Sequence, residues 1–256
     1  MIGPLWYDFR VITQPLFGGF LTPYSIILSL CAAGGLGLSI WLSKEDNFLL
    51  LDAGLAALFM SLVGSRAGFV LRNLSYFKIN PIEIPQLWLG GLSWPGALMG
   101  FALALVAIHL IKKEPLGEMA DSYLPLLGLM ALAAWLTGWG TGIGYGYQLD
   151  AWYGIPVQDF SGLVSRRWPL PILGAFFSTA WITGSILFPM KKGRKPGFRA
   201  VIGTTGLMAI NLFISFFRDD PAPLLWSLRW ESWISIAFLV GGITFIIYQG
   251  NRPKNG

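Results

Sequence analysis

Arg66 is the only charge in the apolar run from Gly54 to Leu71, and a glycine-rich re-entry, Gly90-Gly91-Leu-Ser-Trp-Pro-Gly-Ala-Leu-Met-Gly100, follows it. A guanidinium at membrane depth costs at least about 2.5–3.5 kcal/mol unless it is paired or hydrated. The chemistry open to it is therefore that of a cationic donor. It either grips an anionic headgroup, or it snorkels to the interface or pairs with a carbonyl. It lies about five residues, roughly 7–8 Å at 1.5 Å per residue, from the end of its run, near headgroup depth. Asn73 follows seven positions later on the same helix face.

The remaining reactive side chains are few. His109 is the only histidine and sits beside Lys112 and Lys113 at the end of an apolar run, where an interfacial imidazole is expected. Asp52, inside another such run, reads as a helix-end or interhelical contact. Cys31 is the single cysteine, which leaves neither a disulfide framework nor a thiolate metal cluster. The glycines at 138, 142 and 146 have the spacing of close helix packing, not the spacing of a phosphate-binding loop.

These residues must be carried by membrane helices. With 54% hydrophobic and 12% charged residues and a mean hydropathy of +0.60, the chain could not keep its apolar surface from water as a soluble globule. Seven runs long enough to cross a bilayer cover 22–42, 48–71, 94–111, 123–145, 169–190, 199–217 and 232–249. Backbone groups find no water in hydrocarbon, so spans of this length are helical. The expected fold is an all-α integral membrane protein with seven transmembrane helices.

Lysine and arginine set its orientation. With the N-terminus outside, the short inner loops and tail hold ten basic residues, led by Lys191, Lys192, Arg194, Lys195 and Arg199, against seven on the longer outer segments. That bias favours an N-terminus outside and a cytoplasmic C-terminus. The basic loop suits anionic headgroups, so no nucleic acid is needed to explain it. Residues 1–21 lack the charged start and small-residue cleavage site of a signal peptide and are expected to lie at the interface. Residues 22–249 would form one seven-helix domain, and 250–256 a short cytoplasmic tail. The three long loops, 72–93, 146–168 and 218–231, then fall outside. Many of the 12 tryptophans, among them Trp6, Trp88, Trp94, Trp168 and Trp226, mark an aromatic belt.

Gly64-Ser-Arg66-Ala-Gly-Phe-Val, then Asn80-Pro-Ile-Glu83-Ile, then Trp88-Leu-Gly90-Gly91-Leu-Ser93 resemble bacterial prolipoprotein diacylglyceryl transferases, whose second and third helices carry G-A-R-x-G-Y-V, N-P-L-E-I and W-x-G-G-M-S-F-H-G-G. Weaker likeness reaches Tyr24, Asp52, Arg167-Trp-Pro169 and Phe216-Phe-Arg218-Asp219. The resemblance implies seven helices with the N-terminus outside. It also implies transfer of diacylglycerol from phosphatidylglycerol to a lipobox cysteine of a prolipoprotein, at the outer face of the bacterial cytoplasmic membrane, with no cofactor or metal.

Such a reaction needs a cationic clamp for the phosphoglycerol leaving group and a base for the thiol proton. Here the pattern's histidine is Pro95. Its G-R-I-G-N motif aligns with Thr141-Gly142-Ile-Gly-Tyr145, where only Gln148 and Asp150 keep polar character. Its R-F-x-x-E-F-F-R aligns with Asn211-Leu-Phe-Ile-Ser215-Phe-Phe-Arg218, and most polar residues of R-H-P-S-Q-L-Y-E are lost from Arg167 onward. The changes run one way, from polar to apolar or small. They fit a pseudoenzyme, a lipid-binding or accessory subunit that holds a phosphatidylglycerol-like lipid through Arg66, Asn73, Gln148, Asp150, Arg167 and Arg218, with no catalytic residue assigned. The alternative is an active transferase in lipoprotein biosynthesis, whose partners would be prolipoproteins. Other membrane subunits are the partners that the accessory reading implies.

Overall fold

The computed structural model describes residues 23–43, 47–87, 90–140, 143–158, 163–189 and 194–250. The expected interfacial segment 1–21, tail residues 251–256, Trp88, Gly142, Lys191 and Lys192 lie outside them. Six described helices are long and apolar enough to cross a membrane: α1 (Pro23–Leu42), α2 (Asn47–Arg72), α4 (Trp94–Lys112), α7 (Leu170–Leu187), α8 (Phe198–Ser215) and α9 (Trp230–Gly250); the single turn α3 (Leu74–Phe77) follows α2. The pair α5 (Leu116–Ser122) and α6 (Leu124–Gly140), bent by 48° at their junction, brings the candidates to seven when it is counted as one span. The span expected as one piece over 123–145 is thus shifted and broken. Pro125 lacks an N–H and its ring crowds the preceding turn, so the helix cannot run straight through Tyr123.

The described residues fall into two compact units, divided at positions 26/27, 43/44 and 114/115. In the first, α2 packs antiparallel to α4 at backbone contact. A Cβ on Gly64 would fall on the carbonyl oxygen of Gly96, one on Gly96 on that of Gly64, and one on Gly100 on that of Met60. Two helices approach this closely in lipid only where side chains are absent, and dispersion between backbones then holds them. Gly100→Leu is therefore expected to destabilise the protein by about 3 kcal/mol or more, the upper range for overpacking. Gly184→Leu, in a position with nothing within 4 Å of its Cβ, should melt like the parent. Thermal unfolding in detergent micelles compares the two.

In the second unit, Leu126 N–H donates to Ser39 Oγ at 3.2 Å and ties α1 to α6. Trp135 covers Gly174 between α6 and α7 and donates to Ser178 Oγ at 3.2 Å. Trp181 lies over Gly206 between α7 and α8 and donates to the carbonyl of Ile202 at 3.1 Å. The N-terminus of α8 is capped from another helix. Asp121 of α5 accepts the N–H groups of Gly197 at 2.8 Å and Ala200 at 2.7 Å, meeting two of the donors that a helix start leaves open.

Two ribbons that the hydropathy pattern does not announce complete this unit. β1 (Ile155–Gln158) pairs antiparallel with β2 (Val164–Arg167), and β3 (Leu224–Leu225) with β4 (Leu228–Arg229). They satisfy the backbone where chain leaves the helices. The helix-packing reading of glycines 138, 142 and 146 is corrected for Gly146, because α6, which contains Gly138, ends at Gly140, Gly144 adopts φ +78° and Gly146 bridges to Arg218. A Cβ on Gly146 would press on Trp168 and Leu170. That glycine serves a close β contact, not a helix face.

Candidate functional site

In the first unit Arg66 is 7% exposed, and its guanidinium is turned onto backbone. Nε donates to the carbonyl of Ile84 at 2.8 Å, Nη1 to Gly90 at 2.5 Å and Gly91 at 3.2 Å, and Nη2 to Glu83 at 2.6 Å. Phe69 and Phe77 lie against its carbon, with ring centroids at 5.7 and 5.3 Å. Gly90 and Gly91 present their oxygens by adopting φ of +78° and +76°, and a Cβ on Gly91 would overlap the Phe69 ring. The planar fork of arginine is what lets one side chain hold four acceptors from two turns. Tyr76 OH donates to Glu83 Oε2 at 2.6 Å and fastens the same loop.

Asn73 is buried just beyond α2, where its Nδ2 donates to the carbonyl of Phe69 at 2.8 Å. It closes the end of that helix. Pro95 occupies the first turn of α4, where a missing N–H costs nothing.

The second unit gathers Arg167, Arg218, Gln148 and Asp150 through backbone pairing. Gly146 bridges to Arg218 and Gln148 to Arg167. Tyr147 N–H donates to Phe217 at 3.2 Å, and Asp219 N–H to Tyr145 at 2.9 Å. Arg167 is buried. Its Nη1 reaches Asp219 Oδ2 at 2.6 Å, and its guanidinium lies 4.6 Å from the centroid of the Tyr145 ring. Arg218 grips Asp220 in two-pronged fashion, Nε to Oδ1 at 2.8 Å and Nη2 to Oδ2 at 2.6 Å. Its Nη1 stands 3.8 Å from Glu231. Arg229 Nη2 donates to the same Asp220, to its carbonyl and to Oδ1 at 3.0 Å, while its Nη1 is buried without a hydrogen-bond acceptor. Gln148 and Asp150 are exposed.

Burial pushes the Asp220 carboxyl up, but the hydrogen bond and charge of Arg218, then those of Arg229, outweigh it and hold the group below its ordinary value. Burial also disfavours the Arg218 cation, yet Asp220 and Glu231 more than offset it and raise its pKa. Arg229 is lowered, by burial first and by repulsion from Arg218 second.

Each unit therefore carries its own cationic centre, and each centre finds acceptors within the protein. Sequence reasoning placed Arg66, Arg167 and Arg218, with carbonyl pairing among the readings of Arg66, but did not name their partners. Arg218-Asp219-Asp220 and an arginine directly before the last span were the available signal for the carboxylates and for Arg229. No signal could have pointed to four carbonyls. Ser215, aligned with the pattern's glutamate, donates to the carbonyl of Leu212 at 2.7 Å and accepts from Ser232 at 3.0 Å. His109 Nδ1 lies 2.5 Å from the carbonyl of Glu114, an oxygen that only accepts, so this nitrogen carries the proton. Among the described residues, no three His, Cys, Asp or Glu side chains converge in a way that could hold a metal ion.

Comparison with known proteins adds relatives to this geometry. The profile of a family described as prolipoprotein diacylglyceryl transferase matches residues 17–248. A Brucella anthropi protein named phosphatidylglycerol–prolipoprotein diacylglyceryl transferase is 27% identical over 175 residues, covering 63% of this chain and 58% of its own. A Brucella ovis protein of the same name is 26% identical over 175 residues with the same coverage. The chain thus spans 58% of the length of these curated relatives.

Proposed function

Because the chain belongs to the prolipoprotein diacylglyceryl transferase family, we propose that it keeps the family's multi-pass scaffold as an anionic-phospholipid-binding protein of the bacterial cytoplasmic membrane and has lost the ordinary transfer chemistry. The observation that carries this reading is the internal use of its arginines. Arg66 is spent on four carbonyls, Arg167 on Asp219 and Arg218 on Asp220. At the same time, a helix-starting proline, Pro95, stands where the family pattern has its histidine. A clamp that must stabilise a developing phosphate charge needs donors aimed at substrate, and these are aimed at protein.

Contact with a phosphoglycerol headgroup falls to the second centre. Arg218 Nη1 is held only at 3.8 Å by Glu231, and Gln148 is exposed on the adjoining segment. In the proposed topology residues 22–249 form one membrane domain with the N-terminus outside, an interfacial segment before it and a cytoplasmic tail after it. The long loops then meet the outer leaflet, where a phosphatidylglycerol-like lipid and partner membrane subunits would be engaged. The alternative, active transfer of diacylglycerol to prolipoproteins, is favoured by the match to proteins named for that reaction.

Proteoliposomes with labelled phosphatidylglycerol and a lipobox peptide separate the two. No transfer above protein-free vesicles is expected. Phosphatidylglycerol retained through purification should fall several-fold in a Gln148→Ala, Arg218→Lys variant. Transfer that requires the added protein would sink the lapsed reading.

A further inference from the structure

We infer that the β3–β4 hairpin is a lipid-inserted wedge, with Leu224, Leu225 and Trp226 seated in the headgroup and upper acyl region of the bilayer. Its register, Leu224 opposite Arg229 and Leu225 opposite Leu228, leaves Trp226 and Ser227 as a two-residue turn. Both have positive φ, +49° and +64°. Tight hairpin turns of this kind ordinarily use Asn-Gly, because a side chain at positive φ is strained.

Here the strained position carries the largest side chain there is, and it projects outward. Trp226 is 80% exposed, Leu224 68% and Leu225 50%. A turn facing water gains nothing from this choice. The hairpin is nevertheless braced: Trp233 Nε1 donates to the carbonyl of Leu225 at 2.9 Å and its ring meets Trp226 edge-on at 5.5 Å. At the base, Arg229 is tied to Asp220. A rigid base under an exposed apolar tip presents a surface for contact.

The occupant follows from where the tip lies. Leu228 and Arg229 lead directly into Trp230, the first residue of the span α9, and exposed Phe216 and Phe217 follow the span α8. Along the chain the apolar tip adjoins the spans α8 and α9, and the wedge would set the paired charges of Arg218, Asp220 and Arg229 behind it at the depth of headgroups. Tryptophan favours that boundary because its ring is apolar and its N–H polar. The inference does not depend on the proposed lipid binding by Arg218.

The test uses full-length protein in phosphatidylethanolamine–phosphatidylglycerol vesicles, with Cys31→Ala as background, Trp226 retained and an environment-sensitive fluorophore on Leu225→Cys. Emission is expected to be quenched by lipids carrying a nitroxide near the headgroup and to be untouched by aqueous iodide. Quenching by iodide alone would overturn the wedge. So would energy transfer between copies without lipid quenching, which would assign the tip to a second molecule. A second variant, Trp226→Asn with Ser227→Gly, relieves the turn while removing the indole. With the fluorophore on Leu225→Cys in that variant, quenching should pass from lipid to iodide. Persistent lipid quenching would show that the spans alone set the depth of the hairpin, and would overturn the wedge as well.

Discussion

Asp220→Ala is expected to lower stability by about 3–5 kcal/mol, the range for removing one partner of a buried ion pair. Against a total of roughly 5–15 kcal/mol for an ordinary fold, that leaves a protein that survives only in the mildest detergents. Asp220 is 6% exposed and is the carboxylate onto which both Arg218 and Arg229 close, so its loss leaves two guanidiniums facing each other with little water. The effect should be local before it is global, with amide exchange rising first over 216–230.

Asp220→Asn keeps the shape and one acceptor oxygen and should fall between parent and alanine. The pH dependence has a definite sign. The folded carboxyl lies below its ordinary value of 3.8, so its contribution is complete above that pH. The contribution is lost as pH falls from there through the folded value. The parent should therefore lose stability in that acid window, and Asp220→Asn should lack this component. An unfolding free energy for Asp220→Ala within about 1 kcal/mol of the parent, as for a surface pair, would show that the network is solvated and is no strut.

Arg66→Ala is the second large effect, expected at about 3 kcal/mol or more. It strands the carbonyls of Glu83, Ile84, Gly90 and Gly91, and each buried acceptor left unmet costs about 1–3 kcal/mol before the loop relaxes toward water. The phenylalanines at 69 and 77 lose their cation as well. Lysine should rescue little, because its three donors radiate from one nitrogen and cannot span two turns.

The discriminating measurement is limited proteolysis and amide exchange over 79–93 beside phospholipid retention. A clamp predicts that loop protection collapses and that any loss of lipid follows from it. If the loop stays protected while lipid binding falls, Arg66 is a headgroup ligand, and its bonds to the carbonyls give way when lipid arrives.

The sequence alone settled the membrane class and the order of the crossings. Six of the seven expected spans coincide with helices to within a few residues, as α4 at Trp94–Lys112 does for the run 94–111. The reason is that hydrocarbon imposes a local rule: an apolar run of sufficient length must satisfy its own backbone, and only a helix does so within the run. The motif around Arg66 was equally legible, since it is contiguous. What the tertiary structure decided is where each charge goes. The acceptors of Arg66 stand 17 to 25 residues downstream and are main-chain oxygens that no residue type announces. Arg167 meets Asp219 across 52 positions. Gly64, Gly96 and Gly100 show their purpose only when α2 lies against α4, and Gly146 loses the helical one its spacing promised. Apolar burial is non-directional and can be read from composition along the chain. A hydrogen bond or ion pair is fixed by angles and distances of a few ångströms between remote segments, so it exists only once the fold has brought them together.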